Sequence, residues 1–362
     1  MLADTLKRHE AFWNLKETDR PLLGINVGFF VGQRFPRVMA AMREGPVRPE
    51  DIPVEAFLHD CDDLHESHEG LGDYPFVSAP FVGIPWLEAI AGCPIMASGT
   101  GFWAQPCVAD WKARRWEESY LENRWTRKLI ELMRALVAHA DGRYGVAPTL
   151  MRGPSDIIAA MRGSAELAID LMENPEIVMP SMHQAARLWS EVAKAQLAEI
   201  PESGSGYVAG DAALRVWAPE KVLWLQEDAI SILSPRLFRD YILPIDRGLS
   251  DAFPCIAYHL HGTALWAIDG VASLPGVDAI ELNLETAFCD LEGTFEGWKK
   301  IQAVKPVILW RAYADDYPGW LARVLREFPA KGLSIQVSAN SPSEAEDAQR
   351  MFREMLSEMP GH

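Results

Sequence analysis

The feature that most restricts this chain is an alternation running through its second half. Short apolar runs, "CIAYHLH" at 255–261, "AIELNLE" at 279–285, "PVILWRA" at 306–312 and "LSIQVSA" at 333–339, are separated by stretches with helical spacing. Strand, helix, strand, helix requires parallel pairing through crossover helices. Two further runs, "PLLGINVG" and "GYVAG", read as strands earlier in the chain. Helical periodicity is plain in "WTRKLIELMRALVAHA", where Leu129, Ile130, Leu132, Met133, Leu136 and Val137 group on one face, and again around Leu188, Trp189, Val192 and Leu197. Ser234 before Pro235 reads as a capped helix start, and Thr263 starts a helix carrying Leu265, Ile268, Val271 and Leu274.

At 362 residues and 49% hydrophobic, this pattern predicts an α/β fold of one domain spanning 1–362, a closed (β/α)8 TIM barrel with residues 1–20 as an N-terminal helical extension. A doubly wound open sheet is the alternative. No GxGxxG follows a strand, which counts against a dinucleotide-binding version of it. From Tyr74 to Asp110 the only charge before the final residue is Glu88, and repeated Pro and Gly interrupt any span; this region reads as short strands and loops forming an apolar lid or pocket wall. No repeat divides the chain, and "PESGSG" at 201–206 is a helix-to-strand loop.

The net charge of −17, from 51 acidic and 34 basic residues, argues against a phosphate backbone or an anionic membrane as partner. Five cysteines, Cys61, Cys93, Cys107, Cys255 and Cys289, form no CxxC and are sparse, as expected of a cytoplasmic protein. The charged N-terminal stretch has no signal-peptide core.

Alternate residues of a strand face opposite sides, so parity locates the chemistry. On "AIELNLE" the polar set is Glu281, Asn283, Glu285; on "LSIQVSAN" it is Gln336, Ser338, Asn340. In a barrel these face the mouth at the C-terminal strand ends. His259 and His261 share a parity at the end of their strand. They are expected to form either a hydrogen-bonding acid/base pair or, with Glu281, a two-histidine, one-carboxylate metal site. Arg152, Arg215 and Arg311 lie at or beyond strand ends, where they pair with an anionic substrate or form ordinary ion pairs. Trp310 is expected against a helix, while Trp86, Phe102 and Trp103 pack in the lid or cover a flat ligand. A second histidine-rich segment, "HDCDDLHESHEG", carries His59, Cys61, His65 and His68 among five acids and reads as a solvated surface loop.

Four ordered segments, at 153–178, 227–249, 258–283 and 338–355, together resemble the uroporphyrinogen decarboxylase superfamily, which includes zinc-dependent, cobalamin-linked methyltransferases. The resemblance implies a (β/α) barrel, commonly dimeric, with its ligand in the mouth. Where the decarboxylases carry paired arginines, this chain has only Arg34 and Arg37 at a different spacing. Where the methyltransferases bind zinc through H-x-C-G, a carboxylate on the next strand and a cysteine in the last strand, this chain has His259, His261, Glu281 and Ser338. The resemblance therefore implies catalytic His259, His261 and Glu281 and a zinc or other divalent metal on these residues and Ser338. It also implies a corrinoid protein as methyl-group partner. A small anionic substrate is expected at the strand ends, near Arg152, Asp211, Arg215, Asn283, Arg311, Gln336 and Asn340. Decarboxylation of uroporphyrinogen or another carboxylated substrate is the alternative activity, and a non-catalytic ligand- or corrinoid-binding module is a third.

Overall fold

A computed structural model describes residues 3–203, 206–210, 215–284, 290–312 and 316–358. Among the described residues thirteen strands are formed: β1 Leu22–Val27, β2 Gly45–Val47, β3 Val77–Ser78, β4 Ile95–Ser98, β5 Gly101–Ala104, β6 Gly145–Val146, β7 Tyr207–Ala209, β8 Val216–Ala218, β9 Val222–Gln226, β10 Cys255–His261, β11 Ala279–Asn283, β12 Val307–Ala312 and β13 Leu333–Ala339. Six of them make one curled, all-parallel sheet in the order β1-β13-β12-β11-β10-β9. Helices connect successive parallel strands, as the alternation in the sequence requires.

The expected eight-stranded closed ladder is not continuous among the described residues. Beyond β1, the loop at 68–73 replaces a strand. Asp73 donates its N–H to Leu23 O at 2.7 Å and accepts from Leu23 N at 2.8 Å, while His68 Nε2 accepts from Val27 N at 2.9 Å. Gly72 (φ +66°) makes the close approach possible, since a Cβ there would lie 2.6 Å from Leu23 O. β3 and β6 pair only with each other, β7 and β8 form a hairpin, and β4 is the centre strand of an antiparallel trio with β2 and β5.

One face of the large sheet packs against helices; the other lines the inside of the curl. At the N-terminal half of the strands the inner face is apolar, with Leu22, Trp224, Ala257, Ala279 and Ile308 buried together and Trp217 of β8 packed among them. Large Trp rings opposite Ala side chains fill this space, each fully buried large apolar side chain contributing about 1.5–3 kcal/mol. Toward the C-terminal ends the same face turns polar, through Gln226, His259, Glu281, Gln336 and Ser338, all buried. The apolar floor confines polar chemistry to one end of the curl.

Two regions differ from the expectation. The segment around His59–His68 is not a loop: residues Val54–Ser67 form a helix, because Phe57, Cys61 and Leu64 recur at spacings of four and three and bury one face beneath the acidic exterior. The apolar Tyr74–Asp110 region contains a wholly buried helix, Trp86–Ile90, and a β4–β5 hairpin that buries Ile95 and Ala97 and exposes Trp103. Among the described residues no helix is long and apolar enough to cross a membrane.

Candidate metal centre

Strand register assembles the site. His259 on β10 is level with Gln226 on β9 and with Glu281 on β11, and His261 is level with Asn283 one step further. Asp228 lies two residues beyond Gln226, so it has the same parity and reaches the His261 level just past the end of β9. His259 Nε2 is 3.1 Å from His261 Nε2, which is 3.2 Å from Asp228 Oδ1; His259 Nε2 and Asp228 Oδ1 are 4.0 Å apart. The two rings stand nearly perpendicular, at 84°. Three donor atoms thus converge on one point.

Glu281 lies on the face its parity gives it but takes a different role from the metal ligand expected. Its Oε2 binds His259 Nδ1, the ring nitrogen away from the cluster, and so fixes which nitrogen faces His261. Glu281 is an orienting carboxylate, and the carboxylate of the donor set belongs to Asp228. Burial works against a charge on His259, but the neighbouring Glu281 carboxylate and its hydrogen bond, with Asp228 behind, raise the imidazole above its ordinary value. Burial likewise works against the Asp228 charge; the adjacent His261 ring and the charges of His259 and Arg152 outweigh it and keep the carboxyl below its usual range.

Asp228 is itself held by its surroundings. Gln226 Nε2 donates to its Oδ2 at 3.1 Å, and the Asp156 carboxylate accepts from Asp228 N at 3.2 Å and Ala229 N at 2.7 Å. Asp156 comes from helix Pro154–Arg162, whose start presses against the end of β9: a Cβ on Gly153 would lie 2.1 Å from Gln226 O. Burial, with the nearby Asp228 charge, pushes the Asp156 carboxyl up to about 7. The donor set fits a divalent cation. Bonds of about 2.0–2.1 Å to such an ion place tetrahedral donors roughly 3.3 Å apart, and two of the three separations lie close to that. Asp228 Oδ1 is a buried atom without a well-formed hydrogen bond, which a cation would satisfy.

A cavity of about 630 Å³ opens beside the cluster, lined by Asp228, Arg152, Asp156, Phe102 and Trp103 among others. Arg152 donates to the buried Glu88 carboxylate at 3.1 Å and is half-exposed. Trp103 is exposed on the β4–β5 hairpin, whereas Trp86 is core.

Other expected site residues lie elsewhere. Gln336 and Arg215 brace one another: Gln336 Oε1 accepts from Arg215 N at 3.1 Å, its Nε2 donates to Arg215 O at 2.5 Å, and the guanidinium donates to Asn26 Oδ1 at 3.1 Å and to Ile25 O. Ser338, three strands round the sheet from His261, accepts from Trp310 Nε1 at 3.2 Å and is apart from the donor cluster. Asn283 is buried next to His261. Trp310 and Arg311 exchange the faces expected of them. Trp310 pairs in register with Asn283 and Gln336 on the inner face and stacks on Phe29, whereas Arg311 is level with Val337 and bonds Asp316. Asn340 is exposed and donates to Glu344 at a helix start. Arg37 binds Asp60 and Asp63 of helix Val54–Ser67, and Arg34 is buried. Asp211 lies outside the described residues. His68, far from being solvated, is a buried imidazole tied to Leu64 O and Val27 N.

No protein-family model matches this chain, and no curated protein matches it. Among solved structures, a methyltransferase from Methanosarcina mazei superposes with a TM-score of 0.67, covering 99% of this chain and 99% of its own, at 11% sequence identity. The chain has the fold of that protein over its full length.

Proposed function

We propose that this chain is a divergent member of the uroporphyrinogen decarboxylase superfamily acting as a metal-assisted methyltransferase. It would exchange a methyl group between a corrinoid protein and a small anionic acceptor. The observation that carries the reading is the convergence of His259 Nε2, His261 Nε2 and Asp228 Oδ1 beside an Arg152-lined cavity. The fold shared with a methyltransferase supports it.

Two imidazoles and one carboxylate make a borderline-hard donor set that suits zinc or another divalent ion and leaves a coordination position open. A bound divalent ion supplies Lewis acidity, lowering the pKa of a thiol or hydroxyl. The protein's own residues do the rest. Glu281 holds the His259 ring, Gln226 and Asp156 hold Asp228, and Arg152 orients the acceptor's anionic end while Phe102 and Trp103 keep water from its apolar part. Purified protein supplied with zinc, methylcobalamin and a small anionic thiol should demethylate the cobalamin, followed by its visible spectrum; Asp228→Asn should abolish the change. No demethylation across thiol and hydroxyl acceptors would overturn the reading.

A second activity has one observation in its favour: the Glu281–His259–His261 relay is also an arrangement for proton transfer, as a decarboxylase needs to protonate the carbon left by carbon dioxide. Carbon dioxide release from a carboxylated substrate, undiminished by metal chelation, would favour it.

A further inference from the structure

Cys93 and Cys107 stand at the base of the β4–β5 hairpin. Ile95 is level with Ala104 across the hairpin, and Gln105 N donates to Pro94 O at 2.8 Å just below. The two sulfurs are 3.6 Å apart. Each cysteine is anchored by its backbone, Cys93 N to Glu88 O at 2.9 Å and Cys107 N to Met161 O at 2.8 Å, so their approach belongs to the fold. Cys93 is buried and Cys107 exposed. Arg114, bonded to Ala91 O at 2.5 Å, supplies a positive charge nearby.

We propose that Cys93 and Cys107 are a reversible thiol–disulfide site that clasps the base of this hairpin, oxidised by a small-molecule disulfide of the glutathione class. The enclosed residues 94–106 include Phe102, Trp103, Ala104 and Pro106, which form one wall of the Arg152 cavity. Redox state would therefore set how freely that wall moves. The inference goes beyond the metal reading and does not depend on it.

The reaction divides between the two cysteines. Cys107 thiolate attacks one sulfur of the small disulfide, breaks its S–S bond and releases one thiolate. That thiolate takes the Cys93 proton. The Cys93 sulfur then attacks the Cys107 sulfur, forming the intramolecular S–S bond and displacing the second small thiolate, which takes up the proton lost from Cys107. Two protein thiols are oxidised by two electrons, and one small disulfide becomes two thiols. The hydrogen bond with Cys93, chiefly, draws the Cys107 thiol down to about 7, with Arg114 helping against burial; the same bond raises the Cys93 thiol. The division of roles fits: the exposed, more acidic sulfur attacks first and the buried one resolves. Closing from 3.6 Å to a bond of about 2.05 Å requires a modest side-chain movement.

The full chain, folded, is incubated with glutathione disulfide, quenched in acid, alkylated and peptide-mapped, with hydrogen exchange followed at residues 95–104. The expected product is a Cys93–Cys107 cross-link, reversed by dithiothreitol, with exchange in the hairpin slowed severalfold. Cys93→Ala should instead accumulate a mixed disulfide on Cys107. A wild-type protein that stops at that mixed disulfide would overturn the proposal. So would a cross-linked protein whose hairpin exchanges at the reduced protein's rate. Both readouts use wild type, so a poorly folding variant does not remove the test.

Discussion

Two buried polar groups share the inner face of one sheet and differ in what they satisfy. Gln336 on β13 and Asn26 on β1, with Arg215 reaching in from just before β8, spend their hydrogen bonds on the chain itself, largely on backbone atoms. Just past β9 and on β10, Asp228, His259 and His261 point their donor atoms at one another and at a common point, leaving Asp228 Oδ1 without a well-formed hydrogen bond. The first arrangement is closed and holds the fold together; the second is open toward a ligand. Polar burial alone does not distinguish a brace from a site. The direction of the last unsatisfied atom does.

The largest expected effect lies on the brace. Arg215→Ala removes the bonds to Asn26 and Ile25 O and leaves a void, and should cost about 3–4 kcal/mol in urea unfolding. His261→Ala, on the open side and partly exposed, should cost less than about 1 kcal/mol. The reverse ranking would dissolve the distinction. Next, Glu281→Gln should weaken divalent-metal binding roughly 10–100-fold while Asp228 and both histidines remain, read by competition with a metal indicator. Unaltered affinity would remove Glu281's orienting role.

A smaller effect is expected at Gly24, where an added Cβ would lie 2.8 Å from Gln336 Cγ. Gly24→Ala should lower stability by roughly 1–2 kcal/mol, seen as a lower melting temperature with metal binding unchanged. Smallest is the pH response of His68. Burial, with Arg215 close by, lowers its imidazole from 6.5 to about 3. The unfolded chain therefore takes the proton first, and stability present above 6.5 is lost progressively as pH falls toward 3. The share from His68 should be roughly 1 kcal/mol between about pH 6 and pH 5, and His68→Gln should flatten the profile by that amount. An unchanged slope would show that His68 is not held neutral.

Much of this organisation was legible in the sequence, for identifiable reasons. β10, β11 and β13 alternate strictly enough that parity brought His259, His261 and Glu281 to one face. β9 carries no such signal: Val222–Gln226 is buried throughout, so "VLWLQ" has no alternation to read, and the functional residue beside it, Asp228, lies past the strand end. β12 has the same difficulty: buried on both faces, "VILWRA" does not say which of Trp310 and Arg311 points inward, and only pairing with Gln336 and Val337 decides. At His59–His68 charge density hid a helix whose signal was the spacing of Phe57, Cys61 and Leu64. The closed barrel was expected because the sequence does not reveal that Asp73 and His68 would stand in for strand partners of β1.

Zinc titration of chelator-stripped protein by calorimetry addresses the donor cluster most directly. One equivalent should bind wild type, and Asp228→Asn and His261→Ala, each still folded by circular dichroism, should lose that binding, while Ser338→Ala keeps it. No binding by wild type, or equal binding by all four proteins, would contradict the assignment.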